Sequence, residues 1–265
     1  MTLRTNSLKQ SIARGDVVVG PVMQLASPEL IEMAGAAGFD FGWIDCEHGS
    51  FYLEQAVEMV RAADAIGMTA LIRVPNQDPS FIMRALDTGA MGVVVPNVST
   101  AAQARAAVSA ARYKFGDNGG TRGACPGSRA TWHQATDWKA YATHANDEVL
   151  VWAIIETMEA LTNIDAILAV PGLDAVVLGP FDLAHEMGYA GEVAHPQVAG
   201  AMDRVVEQAR AARIPVVASF FSTTAADMAR ERRGWTERGV NVFSIGSDRR
   251  LVLNAMRERA AAARG

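Results

Sequence analysis

The chain has 265 residues, half of them hydrophobic and a fifth charged, which supplies a well-buried α/β core and excludes disorder of the whole. Its formal net charge is −5, with Lys and Arg scattered among acids, so no basic stripe is available to meet a nucleic-acid backbone. Only two cysteines occur, Cys46 and Cys125, without CxxC spacing, which argues against a disulfide framework or zinc knuckle and fits a reducing cytoplasm. The opening "MTLRTNSLKQSIARGD" lacks the apolar core of a signal peptide, and no apolar run reaches the roughly 20 residues of a membrane helix. A cytoplasmic protein is expected.

In chain order, β-rich runs alternate with Ala-rich segments of helical period. The predicted strands are "VVVGPVMQL" (17–25), "FDFGWID" (39–45), "TALIRV" (69–74), "GVVVPN" (92–97), "VLVWAIIE" (149–156), "DAVVLGP" (174–180), "IPVVASF" (214–220) and "VNVFSIG" (240–246). Helices are predicted from Pro28, Tyr52, Asp78, Thr100 and His195. Eight strands in about 250 residues, each followed by a helix, predict a closed (β/α)8 TIM barrel, with residues 1–265 as one barrel domain. The alternative is an open doubly wound sheet, but no GxGxxG follows the first strand.

One connection breaks the rhythm. Residues 114–138, "KFGDNGGTRGACPGSRATWHQATDW", form a long Gly-rich loop, either a surface loop or a lid or subunit contact in which Arg122 and Arg129 would hold an anionic substrate.

In a barrel the chemistry collects at the carboxyl ends of the strands. Those ends carry Asp45, Glu47 and His48 on the second strand, Arg73 on the third, Glu156 on the fifth, Asp182 beyond the sixth and Asp248 beyond the eighth. Glu156 and Asp182 each follow an apolar strand, and two carboxylates brought together there repel unless a cation joins them. Two oxygen ligands with open positions describe a Mg²⁺ or Mn²⁺ site. The structural alternative makes one of them an ion-pair partner of Arg73 and the other a helix N-cap. His48 is a structural histidine on one reading. On the other it is a base which, with Arg73 for a developing oxyanion and a Lewis acid, completes the parts for proton abstraction near a carbonyl. Asp87, in "RALDTGA", could orient His48 or be a solvated helix-end acid. The remaining histidines show no HxxxH or HExxH spacing, which gives a zinc hydrolase little support.

The set "IDCEHG", "IRVPNQDPSFIMRALDTGA", "VVVPNV", "IIET" and "LGPFDLAHEMGYAGEVAHPQV", in this order and at these intervals, resembles the HpcH/HpaI family of class II, metal-dependent pyruvate aldolases, from about Gly15 to the region of Arg250. The resemblance implies a (β/α)8 barrel that exchanges its last helix between subunits and assembles as a hexamer, a trimer of dimers. It implies a divalent cation (Mg²⁺, Mn²⁺ or Co²⁺) on Glu156 and Asp182, chelated by a small-molecule 2-oxo acid whose carboxylate meets the backbone amides of Phe181 and Asp182. By the same resemblance Arg73 stabilises an enolate, His48 is the base, Asp87 pairs with it, and Asp45 and Glu47 orient metal-bound water.

The implied reaction is reversible cleavage of a 4-hydroxy-2-oxo acid to pyruvate and an aldehyde. No lysine is needed for it, and none of Lys9, Lys114 and Lys139 ends a predicted strand. Two positions depart from the family pattern: Ile154 stands where many relatives carry a glutamine that touches pyruvate, and Val22 where several carry a tryptophan. Ile154 keeps open an oxaloacetate-type decarboxylase, or another carbon–carbon lyase acting on acyl-CoA, using the same metal and enolate. A barrel that binds or assembles without turnover is the other class of reading; so many charged groups in an apolar mouth argue against it.

Overall fold

The computed structural model describes residues 4–222 and 224–265. Eight strands, β1 (Val18–Met23), β2 (Phe41–Asp45), β3 (Thr69–Arg73), β4 (Gly92–Val95), β5 (Leu150–Ile155), β6 (Ala175–Leu178), β7 (Val216–Ser219) and β8 (Val242–Ser247), pair in sequence order, all parallel. β1 pairs with both β2 and β8, so the sheet closes into the (β/α)8 barrel and the open doubly wound alternative is excluded.

Alternation along each strand divides the core in two. Phe41, Trp43, Leu71, Val94, Trp152, Ile154, Val177 and Val217 fill the barrel interior. Their neighbours Ile44, Ile72, Val93, Val95, Val151, Ile155 and Val176 point outward and pack under the helices. Trp152 anchors the interior, with edge-to-face contacts to Phe41 at 5.7 Å and Trp43 at 6.5 Å between ring centroids.

The predicted helices are α2 (Pro28–Ala36), α3 (Leu53–Ile66), α4 (Pro79–Asp87), α5 (Ala101–Ala111) and α10 (Pro196–Ala212). Their starts are set locally: Ser27, Asp78 and Thr100 cap first-turn N–H groups, and proline opens α2, α4 and α10. The sequence reading missed α1 (Ser7–Arg14), which lies under the barrel and contributes Leu8 and Ile12 to the interior cluster. Asn6 caps it from a fully buried position, its Nδ2 donating to the carbonyls of Met91 (3.0 Å) and Glu148 (2.9 Å).

The Gly-rich loop connects α5 to α6 (Trp138–Glu148), which feeds β5. It therefore lies at the amino ends of the strands, away from the mouth of its own barrel, and within one chain it is neither a lid nor a holder of substrate. Arg122 donates to Asp87 at 2.7 Å and Arg129 to Asp64 at 2.6 Å and to the Thr88 carbonyl at 2.7 Å. Both cations are engaged within the chain at the opposite end of the barrel.

The remaining helices are α7 (Met158–Thr162), α8 (Ile164–Leu168), α9 (Pro180–Glu186), α11 (Ala225–Glu237) and α12 (Asp248–Arg264). Of these, α11 buries no residue and α12 buries only Asp248, leaving Leu251, Leu253 and Met256 exposed. No helix among the described residues is long and apolar enough to cross a membrane.

Candidate active site

Strand β2 ends at Asp45, and the residues after it fold back onto that side chain. Asp45 Oδ1 accepts the backbone N–H groups of Glu47 at 3.1 Å and His48 at 3.2 Å, and the Asp45 carbonyl accepts that of Gly49 at 3.0 Å. Glycine is required at 49 because a Cβ there would sit 2.1 Å from the Asp45 carbonyl oxygen.

Asp45 is 0% exposed, and its charge is answered by a fork. Arg73, at the end of the adjacent β3, donates Nε to Oδ1 at 2.8 Å and Nη2 to Oδ2 at 2.5 Å, while Gln24 Nε2 donates to Oδ2 at 2.9 Å. Burial pushes the Asp45 carboxyl upward, but the Arg73 hydrogen bond and charge, with help from Gln24 and the His48 amide, outweigh it and hold the group below its ordinary range. Arg73 Nη1 lies 3.0 Å from Glu47 Oε2, and the guanidinium sits over the Trp43 ring, 5.6 Å from its centroid.

Glu156 follows β5 directly and is 6% exposed. Its Oε1 accepts the Asn97 amide at 2.7 Å; Oε2 accepts no hydrogen bond from the described residues. Gly179, at the end of β6, leaves room for it, since a Cβ there would lie 2.5 Å from Glu156 Cβ and 3.0 Å from Oε2. Gly179 is also the side-chain-free N-cap of α9, whose first turn carries Asp182. The amides of Phe181 and Asp182 donate no hydrogen bond within the described chain.

The structure thus brings Asp45, Glu47, Arg73, Glu156 and Asp182 to one mouth. Both structural alternatives for the carboxylate pair fall: Arg73 pairs with Asp45 and Glu47 rather than Glu156, and the N-cap of α9 is Gly179 rather than Asp182. Four carboxylates face one guanidinium. Burial, reinforced by Asp182 and Glu47, pushes Glu156 up to about 7 despite the Asn97 amide. Burial likewise pushes Glu47 up to about 7, against Arg73 and with Asp45 and Asp182 adding to the rise.

His48 stands at the rim with its side chain 61% exposed, and its Nε2 is 3.9 Å from Glu47 Oε2. Asp87 is not beside it. α4 leaves the mouth at Pro79 and ends at Asp87 just before β4 begins, so Asp87 lies at the amino end of the barrel, on Arg122. The expected Asp87–His48 pair does not form within one chain. Asp248 is structural: it is buried and accepts the Gln24 and Leu25 amides, each at 2.9 Å. Sequence reasoning missed Gln24 and Gly179; "MQL" and "VLGP" at strand ends were the available signals.

The donor set suits a hard divalent cation. Glu156, a buried residue, offers an oxygen with no hydrogen-bond partner among the described residues, Asp182 adds negative charge beside it, and excess carboxylate charge fills the mouth. No three His, Cys, Asp or Glu side chains cluster as a metal set among the described residues. A cation on Glu156 and Asp182 would therefore complete its shell from substrate and water.

A pH dependence follows. With Glu156 and Glu47 titrating near 7 when folded and near 4.5 as the ordinary value, the metal-free native state holds more protons than the unfolded chain between those limits. The stability they contribute is full below 4.5 and is lost as pH rises through 7. A cation needs the deprotonated form, so at equal Mn²⁺ concentration the rise in Tm should be larger at pH 8 than at pH 6. Equal shifts at the two pH values in a thermal-melt series would contradict this.

The profile of the HpcH/HpaI aldolase/citrate lyase family matches residues 22–255. The chain is 32% identical over 260 residues to 2-keto-3-deoxy-L-rhamnonate aldolase of Escherichia coli, covering 98% of this chain and 93% of that one. It is 32% identical over 265 residues to hydroxypyruvate/pyruvate aldolase of Pseudomonas aeruginosa, covering 100% of this chain and 95% of that one. Among solved structures, an HpcH/HpaI aldolase/citrate lyase family protein of Burkholderia cenocepacia superposes with a TM-score of 0.91 at 29% identity, covering 98% of this chain and 100% of that one.

Proposed function

The chain belongs to the HpcH/HpaI aldolase/citrate lyase family, and from that premise we propose a divalent-metal-dependent pyruvate aldolase, a carbon–carbon lyase that reversibly cleaves 4-hydroxy-2-oxo acids to pyruvate and an aldehyde. The observation that carries the reading is Glu156: a buried carboxylate with one oxygen on the Asn97 amide, the other without a partner, and Asp182 beside it. Glu156 and Asp182 would hold Mg²⁺, Mn²⁺ or Co²⁺. When bound, the cation supplies Lewis-acid stabilisation for negative charge on the 2-oxo and carboxylate oxygens of the substrate.

The amides of Phe181 and Asp182 receive the substrate carboxylate. His48, working through an ordered water, accepts the proton of the 4-hydroxyl. The C3–C4 bond breaks, the aldehyde leaves, and the electron pair moves into the enolate of pyruvate. Arg73 has spent two of its five N–H donors on Asp45 and turns Nη1 toward Glu47, which leaves the second hydrogen of Nη1 and the second of Nη2 for the enolate oxygen. Asp45, itself fixed by Gln24, holds that guanidinium rigid, so the stabilisation is preorganised. A proton delivered to C3 completes the turnover.

Asp87 can serve His48 only across a subunit contact, the amino end of one barrel against the mouth of another. Assembly as a hexamer of exchanged-helix dimers is the arrangement we propose. In its support, Leu251, Leu253 and Met256 of α12 stay exposed in their own chain, and α11 has no fully buried residue.

Ile154 favours a second reaction of the same site. It is buried in the interior one alternation below Glu156 and leaves that floor apolar, where decarboxylation of an oxaloacetate-type acid would use the same enolate without a base for a 4-hydroxyl. His48→Ala separates the two, abolishing cleavage and sparing decarboxylation. The shared chemistry is tested by exchange of solvent deuterium into the pyruvate methyl group. Exchange that Mn²⁺ supports and EDTA stops is the expected result; exchange indifferent to EDTA would sink the reading.

A further inference from the structure

The turn that carries His48 is held on the barrel side by Asp45 of its own strand and by Arg73 on Glu47. From the other side, among the described residues, the first turn of α12 reaches it. Arg249, in the first turn of α12, donates Nη2 to Ser50 Oγ at 2.9 Å and Nη1 to the His48 carbonyl at a longer 3.4 Å. The link joins the last barrel unit to the second, about 200 positions apart in the chain, across the end of β1. Its base is rigid: Asp248 is buried and accepts the Gln24, Leu25 and Arg249 amides, the first two at the end of β1. A guanidinium is suited to this link because its planar fork spans two acceptors on one turn and stays charged, whereas a lysine offers one point of attachment.

We propose that Arg249 is a positioning residue for His48, clamping the residue 48–50 turn from the root of α12 so that the exposed imidazole is aimed at the mouth. The inference rests on the reading of His48 as the base for the 4-hydroxyl. It also gives α12 a second role, since the helix whose apolar residues seek a neighbouring chain starts at the clamp on the base.

The test compares two reactions of the metal-loaded enzyme, aldol cleavage of a 4-hydroxy-2-oxo acid and decarboxylation of oxaloacetate, for Arg249→Ala, Arg249→Lys, His48→Ala and, as a control, Arg250→Ala, whose arginine donates instead to the Phe221 carbonyl. Arg249→Ala should lower kcat for cleavage by about 10- to 100-fold, the scale of a misplaced catalytic group, with KM little changed and decarboxylation within about twofold of the parent. Arg249→Lys should recover part of the loss, and Arg250→Ala should match the parent in both reactions. An equal loss of both reactions, or a rise in KM alone, would overturn the proposal, the first as a general structural effect and the second as a charge that attracts substrate. Unchanged cleavage in Arg249→Ala overturns it too. If His48→Ala itself cleaves normally, the assignment of the base has failed instead. Should the alanine variant not fold, Ser50→Ala, which removes the shorter of the two bonds, must lower cleavage selectively in the same ratio assay, and unchanged cleavage there also overturns the clamp.

Discussion

Glu156→Gln should reduce metal-dependent turnover by about 10³-fold or more, the several kcal/mol a Lewis acid contributes to a developing oxyanion. Glutamine keeps the shape and the Oε1 acceptor for the Asn97 amide, so the β4–β5 junction survives. What goes is the negative charge beside Asp182. The same change removes a carboxylate that burial drives up to about 7, so the metal-free variant at pH 8 should melt no lower than the parent. The cation-induced rise in Tm should vanish with the activity. Lost activity with an undiminished cation shift would place the metal elsewhere, and full activity would remove Glu156 from the site.

Arg73→Ala should be damaging twice over. It removes the donors intended for the enolate oxygen, a loss of about 10²- to 10³-fold in kcat by comparison with other oxyanion sites. It also leaves Asp45, 0% exposed, without its cation, and breaking one side of a buried pair costs about 3–5 kcal/mol. Denaturant midpoints and steady-state kinetics together check both effects. Arg73→Lys separates them: the charge remains and the fold should hold, but a point charge cannot fork onto Asp45 and still present donors to substrate, so kcat should stay low. A lysine variant with parental turnover would show that charge alone, without the fork, is the contribution.

Much of this architecture was readable from the chain. The eight strands stood out because β-branched runs such as "VVV" and "AVVL" end in glycine, proline or charged residues, and their order fixed which side chains reach the mouth. Asp45, Glu47, Arg73, Glu156 and Asp182 converge as expected for that reason. Helix α1 escaped because "SLKQSIAR" is short and mostly polar; only the Leu8 and Ile12 spacing, the Asn6 cap and the Gly15 stop betrayed it. Helices α11 and α12 escaped because "AADMARERRGWTE" and "DRRLVLNAMRERAAAAR" carry few large apolar residues among many charged ones, which weakens the periodic signal.

The distance of two expected groups from the mouth of their own barrel has a topological cause. Asp87 ends α4, and residues 114–138 join α5 to the helix that precedes β5; chain that leads from a helix into the next strand lies at the amino end of a barrel. The family resemblance paired Asp87 with His48; within one chain the direction of α4 carries it away. Gln24 and Arg249 were missed because each acts on another residue's backbone or carboxylate, a contact that no local pattern records.

The central claim is that Glu156 and Asp182 share a dication with a 2-oxo acid. A crystal structure of the protein with Mn²⁺ and pyruvate, with data collected at the manganese absorption edge, measures this directly. The expected result is one anomalous peak within bonding distance of a Glu156 oxygen and an Asp182 oxygen, with pyruvate on the same ion and its carboxylate at the amides of Phe181 and Asp182. A mouth in which those carboxylates stand apart with no ion between them, or an ion bound elsewhere, would contradict it.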